Sequence, residues 1–383
     1  MSIDLPARGF IFWPVGCGDS TTVKVNSNMV VQIDVQHHES SEGEDHPCHP
    51  VVDSLVDDVL PTIDGASKPY LAVFVLTHPD QDHCKGFGEL LNRCTIGELW
   101  FSPRIIREFV DDNDLCDDAQ AFCDEAHRRI ALNQHVEAET GDRIRIIGND
   151  DVLSEDDYKD IPESRKSRPG DAITLLDGVD LNGTCRVFFH APFGDDSTGD
   201  RNKTSVAMQI TLTEGESASR LMLFGDLDYP PLKRIFDYSD DDDKAWDLFL
   251  APHHCSKTAM YYQDDGEDDV SVKQGLLDLI DAAAGETGWV VVSASKIPSS
   301  NKAGDNPPHA IARDRYQEVA PNGVLCTGDD EGSDDPIVFE ANADGISLYS
   351  ATTVPESSVA ASAITDARGG DAAYGKHVGF GQT

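Results

Sequence analysis

No stretch of this chain approaches the roughly 18 consecutive apolar residues that a membrane-crossing helix needs. The start, MSIDLPARGFIFWPVG, lacks the basic-then-apolar layout of a secretory leader. Both absences point to a soluble, cytoplasmic protein with no membrane partner. Nine cysteines occur among the 383 residues, but they are odd in number, scattered singly and never spaced C-x-x-C. That argues against a disulfide framework and against a structural zinc ribbon. A G-x-x-x-x-G-K-[ST] segment is missing, as is a strand–GxGxxG–helix unit, so a nucleotide cradle has no support. Positive charge is scarce too: 30 Lys and Arg stand against 70 Asp and Glu, for a net charge of −40. The acids run along the whole chain, as in DDNDLCDDAQ and DYSDDDDK, which fits a surface adapted to high salt. At ordinary ionic strength such a field repels polyanions. A nucleic-acid partner therefore requires local positive charge or bound metal.

What is present suffices for a large core, since 39% of residues are hydrophobic. Apolar, β-branched runs separated by turn residues predict strands at 9–13, 21–25 and 29–34. LAVFVL (71–76) is a continuous apolar run, as expected of a strand covered on both faces. Further strands are predicted at 97–100, 143–147, 185–190, 205–213, 220–225, 248–251, 289–293 and 336–340. Helices are predicted at 51–60, 86–93, 115–133, around 272–285 and around 309–318. Runs of strands with helices between some of them predict sheets stacked between helical layers. From about residue 350 the composition turns to Ala, Ser, Thr and Gly without periodicity. The expected organisation is a domain over 1–349 and a mobile tail over 350–383.

One segment stands out. LTHPDQDHCKG (76–86) places His78, Asp80, Asp82 and His83 within six residues, directly after the apolar run 71–76. It is either a polar turn or half of a metal site. The alternation of 78, 80 and 82 directs three side chains to one side of an extended loop. Gly86 lets the chain turn into the next helix. Imidazole nitrogens and carboxylate oxygens suit zinc, manganese or iron. Elsewhere, His37, His38, His46 and His49 read as a surface flap, because nothing there has the spacing of a closed site. His127 and His135 read as solvated.

The segment resembles the H-x-[HD]-x-D-H signature of the metallo-β-lactamase superfamily, and the likeness continues in order along the chain. VGCGDSTTV (15–23) and QID (32–34) look like the first strands of that fold. DRNKTSVAMQI (200–210) resembles an Asn-x-x-Ser-Val element. LMLFGDLD (221–228) matches the strand ending in Gly-Asp. LAPHHCSK (250–257) matches the strand ending in His-His-Gly-Ser, with Cys255 where Gly is usual. NPPHA (306–310) resembles a distal Asn…His-Pro element. Within the superfamily, the chain resembles the branch of the soluble domain of the ComEC competence protein, here as a stand-alone relative without the membrane channel.

This resemblance implies an α/β fold (α+β in some schemes), the four-layer αββα sandwich of two mixed sheets. It also implies two divalent metal ions, Zn or Mn. His78, Asp80 and His190 would hold one, with Asp195 or Asp196 as a substitute for His190. Asp82, His83 and His254 would hold the other, and Asp226 would bridge them. His253 is expected to contact a substrate oxygen or donate a proton, although either imidazole of the pair can turn inward. Asp80 replaces a commoner His, making the site harder and more receptive to Mn²⁺. Asp19 is a candidate for orienting a ligand, or a turn-forming residue. Asn202, Ser205, Lys257 and His309 are candidate substrate contacts, with Ser205 also placed to buttress the Gly-Asp strand. The implied activity is metal-dependent hydrolysis, first of DNA phosphodiesters through a dinuclear metal-activated hydroxide. The alternative is a small-molecule hydrolase of the same fold, such as a phosphocholine esterase, lactonase or lactamase, and the acidic charge favours it.

Overall fold

The computed structural model describes residues 3–37, 48–63, 65–103, 116–134, 136–194, 204–264, 266–267, 269–302, 304–329 and 335–349. All of them belong to one compact unit, Met1–Tyr349. The expected tail, together with His38, His46, His135, Asp195, Asp196 and Asn202, lies outside the described residues.

Two large mixed sheets carry the fold. The first has nine strands, in the spatial order Gly345–Leu348, Ile337–Asn342, Gly9–Phe12, Thr21–Asn26, Met29–Ile33, Tyr70–Val75, Thr95–Phe101, Arg143–Ile147 and Lys166–Ser167. The second has seven: Val324–Gly328, Ala284–Ser295, Trp246–Leu250, Ser217–Leu223, Ala207–Glu214, Cys185–Ala191 and Ala172–Ile173. Alternation along the strands explains why they stack. Phe10 and Phe12 enter one buried cluster with Val73, Val75, Leu221, Leu223, Leu248 and Leu250, so that cluster lies between the sheets. The alternate residues point outward. Ile11 and Phe74 meet Leu55, Phe87, Leu90 and Phe122 from helices on one side. Met222 and Phe249 meet Leu232, Ile235, Leu277 and Tyr316 from helices on the other. Helix, sheet, sheet and helix follow one another, which is the expected αββα layering.

Most predicted strands form within a residue or two of their expected bounds. Residues 51–60 divide into a short α-helix, Val51–Ser54, and a π-helical turn, Leu55–Val59. The helix expected to reach 285 stops at Ala282. Residues from Ala284 instead join a twelve-residue strand, because Ala284 pairs in parallel with Trp246. Ser205 and Val206 precede their strand rather than belonging to it. The ten-residue helix Tyr229–Tyr238 is an element the sequence reading lacks; Pro230 and Pro231 sit in its first turn, where a missing N–H costs nothing. Among the described residues no helix is long and apolar enough to cross a membrane.

Strand direction positions the site. Met29–Ile33 and Tyr70–Val75 run parallel in one sheet, and Ser217–Leu223 and Trp246–Leu250 run parallel in the other. Their C-terminal ends deliver Asp34, His78, Asp226 and the pair His253–His254. Cross-links between sheets close that edge: Val206 N donates to Thr77 O at 3.0 Å, and Ser293 Oγ donates to Gly18 O at 2.6 Å.

Candidate metal centre

Asp226 is the centre of the arrangement. It is buried, and its two oxygens face two different sets of side chains. Oδ1 lies 3.2 Å from His83 Nε2 and 3.6 Å from His254 Nε2. Asp82 Oδ2 completes that set, 3.2 Å from His254 Nε2 and 4.0 Å from His83 Nε2. Oδ2 lies 3.6 Å from His78 Nε2 and 3.6 Å from His253 Nε2. Asp80 Oδ2 stands 3.8 Å from His78 Nε2 on this second side. Atoms that coordinate one tetrahedral ion at about 2.1 Å are separated from one another by about 3.4 Å. The spacings above match that separation on both sides of Asp226.

The far edges of the imidazoles decide what the near edges can do. His83 Nδ1–H donates to Asp34 Oδ2 at 2.8 Å. His78 Nδ1 lies 3.1 Å from Thr77 Oγ1, and Thr77 Oγ1–H donates in turn to Asp34 Oδ2 at 2.6 Å. His254 Nδ1–H donates to the Ser293 carbonyl at 3.1 Å. Each ring thus spends its Nδ1 proton on the surroundings and aims an Nε2 lone pair at Asp226. His78 Nε2, His83 Nε2, His254 Nε2 and Asp226 Oδ1 are all buried, and none has a hydrogen-bond partner. Lone pairs converging on a buried carboxylate need positive charge between them. The donor set therefore fits divalent cations.

Proton affinities report the same demand. Burial disfavours imidazolium at His83, but the Asp226 and Asp34 carboxylates override it and raise its pKa well above the ordinary value. Burial likewise opposes charge on His254, and Asp226, Asp19 and Asp82 raise it. Burial would raise Asp82, yet the adjoining imidazoles of His254 and His83 hold it well below the usual carboxylate range. Asp226 is held down in the same way, against its burial, by His83, His78 and His254.

Asp19, His83, Asp226 and His254 each offer an atom within 4.8 Å of the others. Asp19 nevertheless faces the Nδ1 edges, 3.5 Å from His254 Nδ1 and 4.0 Å from His83 Nδ1. It stands behind the imidazoles, and its Oδ1 is buried without a hydrogen-bond partner. Asp34 holds one of them directly. It is buried, adopts φ 51°, and accepts from Thr77 N at 2.8 Å as well as from His83. The sequence reading passed over Asp34 as the end of QID, and the signal available was an Asp closing an otherwise apolar strand.

The backbone around the second arm is unusual. His253, His254 and Cys255 all have positive φ, at 48°, 50° and 67°. Three consecutive left-handed non-glycine residues are held by surrounding contacts, including His253 N donating to Gly225 O at 3.0 Å. The turn aims both imidazoles at Asp226 from one short segment. His253 Nε2 thereby shares the Asp226 Oδ2 side with His78 Nε2.

His190, the expected third donor there, does not join the group. Its strand sends Phe189 into the core between the sheets, so the next side chain points to the opposite face. There His190 Nδ1 lies 2.9 Å from Ser239 Oγ, beside Phe188, Phe193 and Asp243. Burial lowers its pKa to about 3. His309 is likewise occupied, accepting from Lys257 N at 3.2 Å and donating to Asp305 O at 3.0 Å. It ties two loops together rather than facing a substrate. Ser205 is fully buried, and its Oγ accepts from Asp226 N at 3.3 Å, so it buttresses the Gly-Asp turn. Lys257 is half-buried and follows the His pair, with no ion pair among the described residues. His49 packs on Trp13 and bonds Ser54 Oγ at 2.6 Å, as a structural residue does, and His127 is exposed.

No family model matches the chain, and no curated protein matches it. Solved structures do. One is Zn²⁺-bound PqqB from Methylobacterium extorquens, at 11% identity over 61% of this chain and 58% of that one, with a TM-score of 0.32. The chain thus spans less than two thirds of PqqB. A subclass B3 metallo-β-lactamase of Bradyrhizobium japonicum matches at 13% identity over 72% of this chain and 88% of that one, TM-score 0.32. An archaeal metallo-β-lactamase superfamily protein from Sulfolobus tokodaii matches at 12% identity over 83% and 98%, TM-score 0.30. At such identities no side-chain role passes from these proteins to this chain.

Proposed function

We propose that the chain is a metal-dependent hydrolase of the metallo-β-lactamase fold whose site holds two divalent cations sharing Asp226. The observation that carries this reading is the division of labour at Asp226, each oxygen facing its own set of nitrogens and a second carboxylate. His78, Asp80 and His253 would hold one cation, and Asp82, His83 and His254 the other. Two such cations would supply Lewis acidity, making a water more acidic and polarising the oxygens of a scissile ester. The chain's own groups do the positioning. Asp34, Thr77 and Ser293 fix the imidazole tautomers, and Ser205 holds Asp226 in register. Of the four imidazoles facing Asp226, His253 is the most exposed, with 24% of its side chain accessible, and would be the one to meet substrate.

The substrate we favour is a phosphodiester, and DNA first among these. Asp80 makes one position richer in oxygen, which suits cations that handle phosphates. Lys257, three residues beyond His254, would offer a positive charge to a phosphate oxygen. Cleavage of single-stranded DNA and of a bis-aryl phosphodiester, with Zn²⁺ or Mn²⁺ and at high salt, tests this. Chelator should abolish both. Failure on every phosphodiester alongside turnover of lactones or choline esters would favour the second reading, a small-molecule hydrolase. The net charge of −40 supports that alternative, since a polyanion approaches against it.

A further inference from the structure

Directly behind the His/Asp loop lie two thiols that the metal reading does not use. Cys84 follows His83 and is fully buried at the end of the short helix Gln81–Cys84. Cys116 is half-buried and caps the seventeen-residue helix Asp117–Asn133. Their sulfurs stand 3.7 Å apart. The same helix start grips the loop a second time, for Asp118 accepts from Gly86 N and Gly88 N, both at 2.9 Å. The loop carrying Asp80, Asp82 and His83 is therefore docked onto this helix by one carboxylate and one sulfur pair.

We propose that Cys84 and Cys116 are a peroxide-oxidisable pair whose disulfide fastens the His/Asp loop to the helix behind it. Cys116, the more accessible sulfur, attacks the peroxide O–O bond, becoming a sulfenic acid and releasing water. Cys84 then attacks the Cys116 sulfur, expelling the sulfenic oxygen as a second water. In sum, two thiols and one hydrogen peroxide give one disulfide and two waters. The sulfurs approach from 3.7 Å to about 2.05 Å, a shift within reach of side-chain rotation at Cys116. The Cys84 hydrogen bond and the Ala119 N–H at the helix start lower the Cys116 thiol to about 6 and favour it as the attacking group.

The test uses the full chain treated with one equivalent of hydrogen peroxide, unfolded, alkylated and digested. Alkylatable thiols should fall by two from nine, with a linked peptide joining Cys84 to Cys116 and reversal by dithiothreitol. Cys116→Ser should retain all eight of its remaining thiols, and hydrogen exchange over residues 79–88 should slow only in the oxidised wild type. Cys84→Ser serves as a second variant if it folds; it should leave Cys116 as a sulfenic acid that dimedone traps. Retention of nine alkylatable thiols in the wild type, or a linkage between any other pair, would overturn the proposal. These readouts do not depend on whether the site takes metal.

Discussion

At the scale of single residues, side chains that would face a cation differ from those that aim them. Asp34 belongs to the second group. Asp34→Asn keeps the shape but weakens the acceptor that fixes His83 and Thr77. Cation affinity should fall about 10- to 100-fold with the fold retained, as for other partners of metal-binding histidines. Competition against a fluorescent indicator, with circular dichroism as the control, measures this. An unchanged affinity would remove Asp34 from the account. The residue scale is also where sequence was most and least informative. His78, Asp80, Asp82 and His83 were legible because four donors fall in six residues after an apolar strand. Asp34 and the role of His253 were not. One donor at a strand end has no pattern, and the left-handed turn at 253–255 cannot be read from residues that ordinarily avoid it. His190 misled for a related reason. Ending an apolar strand says that a side chain is near the site edge, but only the register says which face it takes.

At the scale of elements, two connections hold the site end of the sandwich. Gly225 has φ 52°, and a Cβ there would meet Ser205 Cβ at 3.0 Å and Thr77 Cβ at 3.1 Å, across the two sheets. Gly225→Ala should cost about 1–2 kcal/mol from the backbone alone, and more from the crowding, read as a lowered denaturation midpoint. The helix Asp117–Asn133 is anchored through Arg129, which is buried and donates to Glu125 Oε1 at 2.6 Å and to Ile96 O at 2.9 Å. Burial would raise the Glu125 carboxyl, but Arg128 and Arg129 hold it below the ordinary 4.5. Its stabilising effect is thus present above the unfolded value and lost as pH falls through the lower folded one. Glu125→Gln should cost about 3 kcal/mol at neutral pH, and the gap from wild type should close in acid. A gap that persists below the folded pKa would contradict the ion-pair explanation. The elements were legible where apolar, β-branched runs were bounded by turn residues. Those missed or misjudged, such as Tyr229–Tyr238 and the first half of Ala284–Ser295, are set by helix-start prolines and by pairing with a distant strand.

At the scale of the whole molecule, burial of alternate faces builds the layering, and it was legible from runs of strands with helices between them and from the family resemblance. The charge of −40 acts at this scale too. Self-repulsion among exposed carboxylates is screened by salt, so the melting temperature should rise between low and molar salt. A flat curve would show that the acids are individually neutralised by other means. The central claim, however, is that one carboxylate divides a His/Asp cluster into two cation sites, with His253 and not His190 completing the first. Counting metal in the purified, Zn²⁺- or Mn²⁺-equilibrated chain by inductively coupled plasma mass spectrometry tests it most directly. The account predicts two ions per wild-type chain, two in His190→Ala, and about one in His253→Ala. One ion or none in the wild type, or loss of an ion from His190→Ala with none lost from His253→Ala, would contradict it.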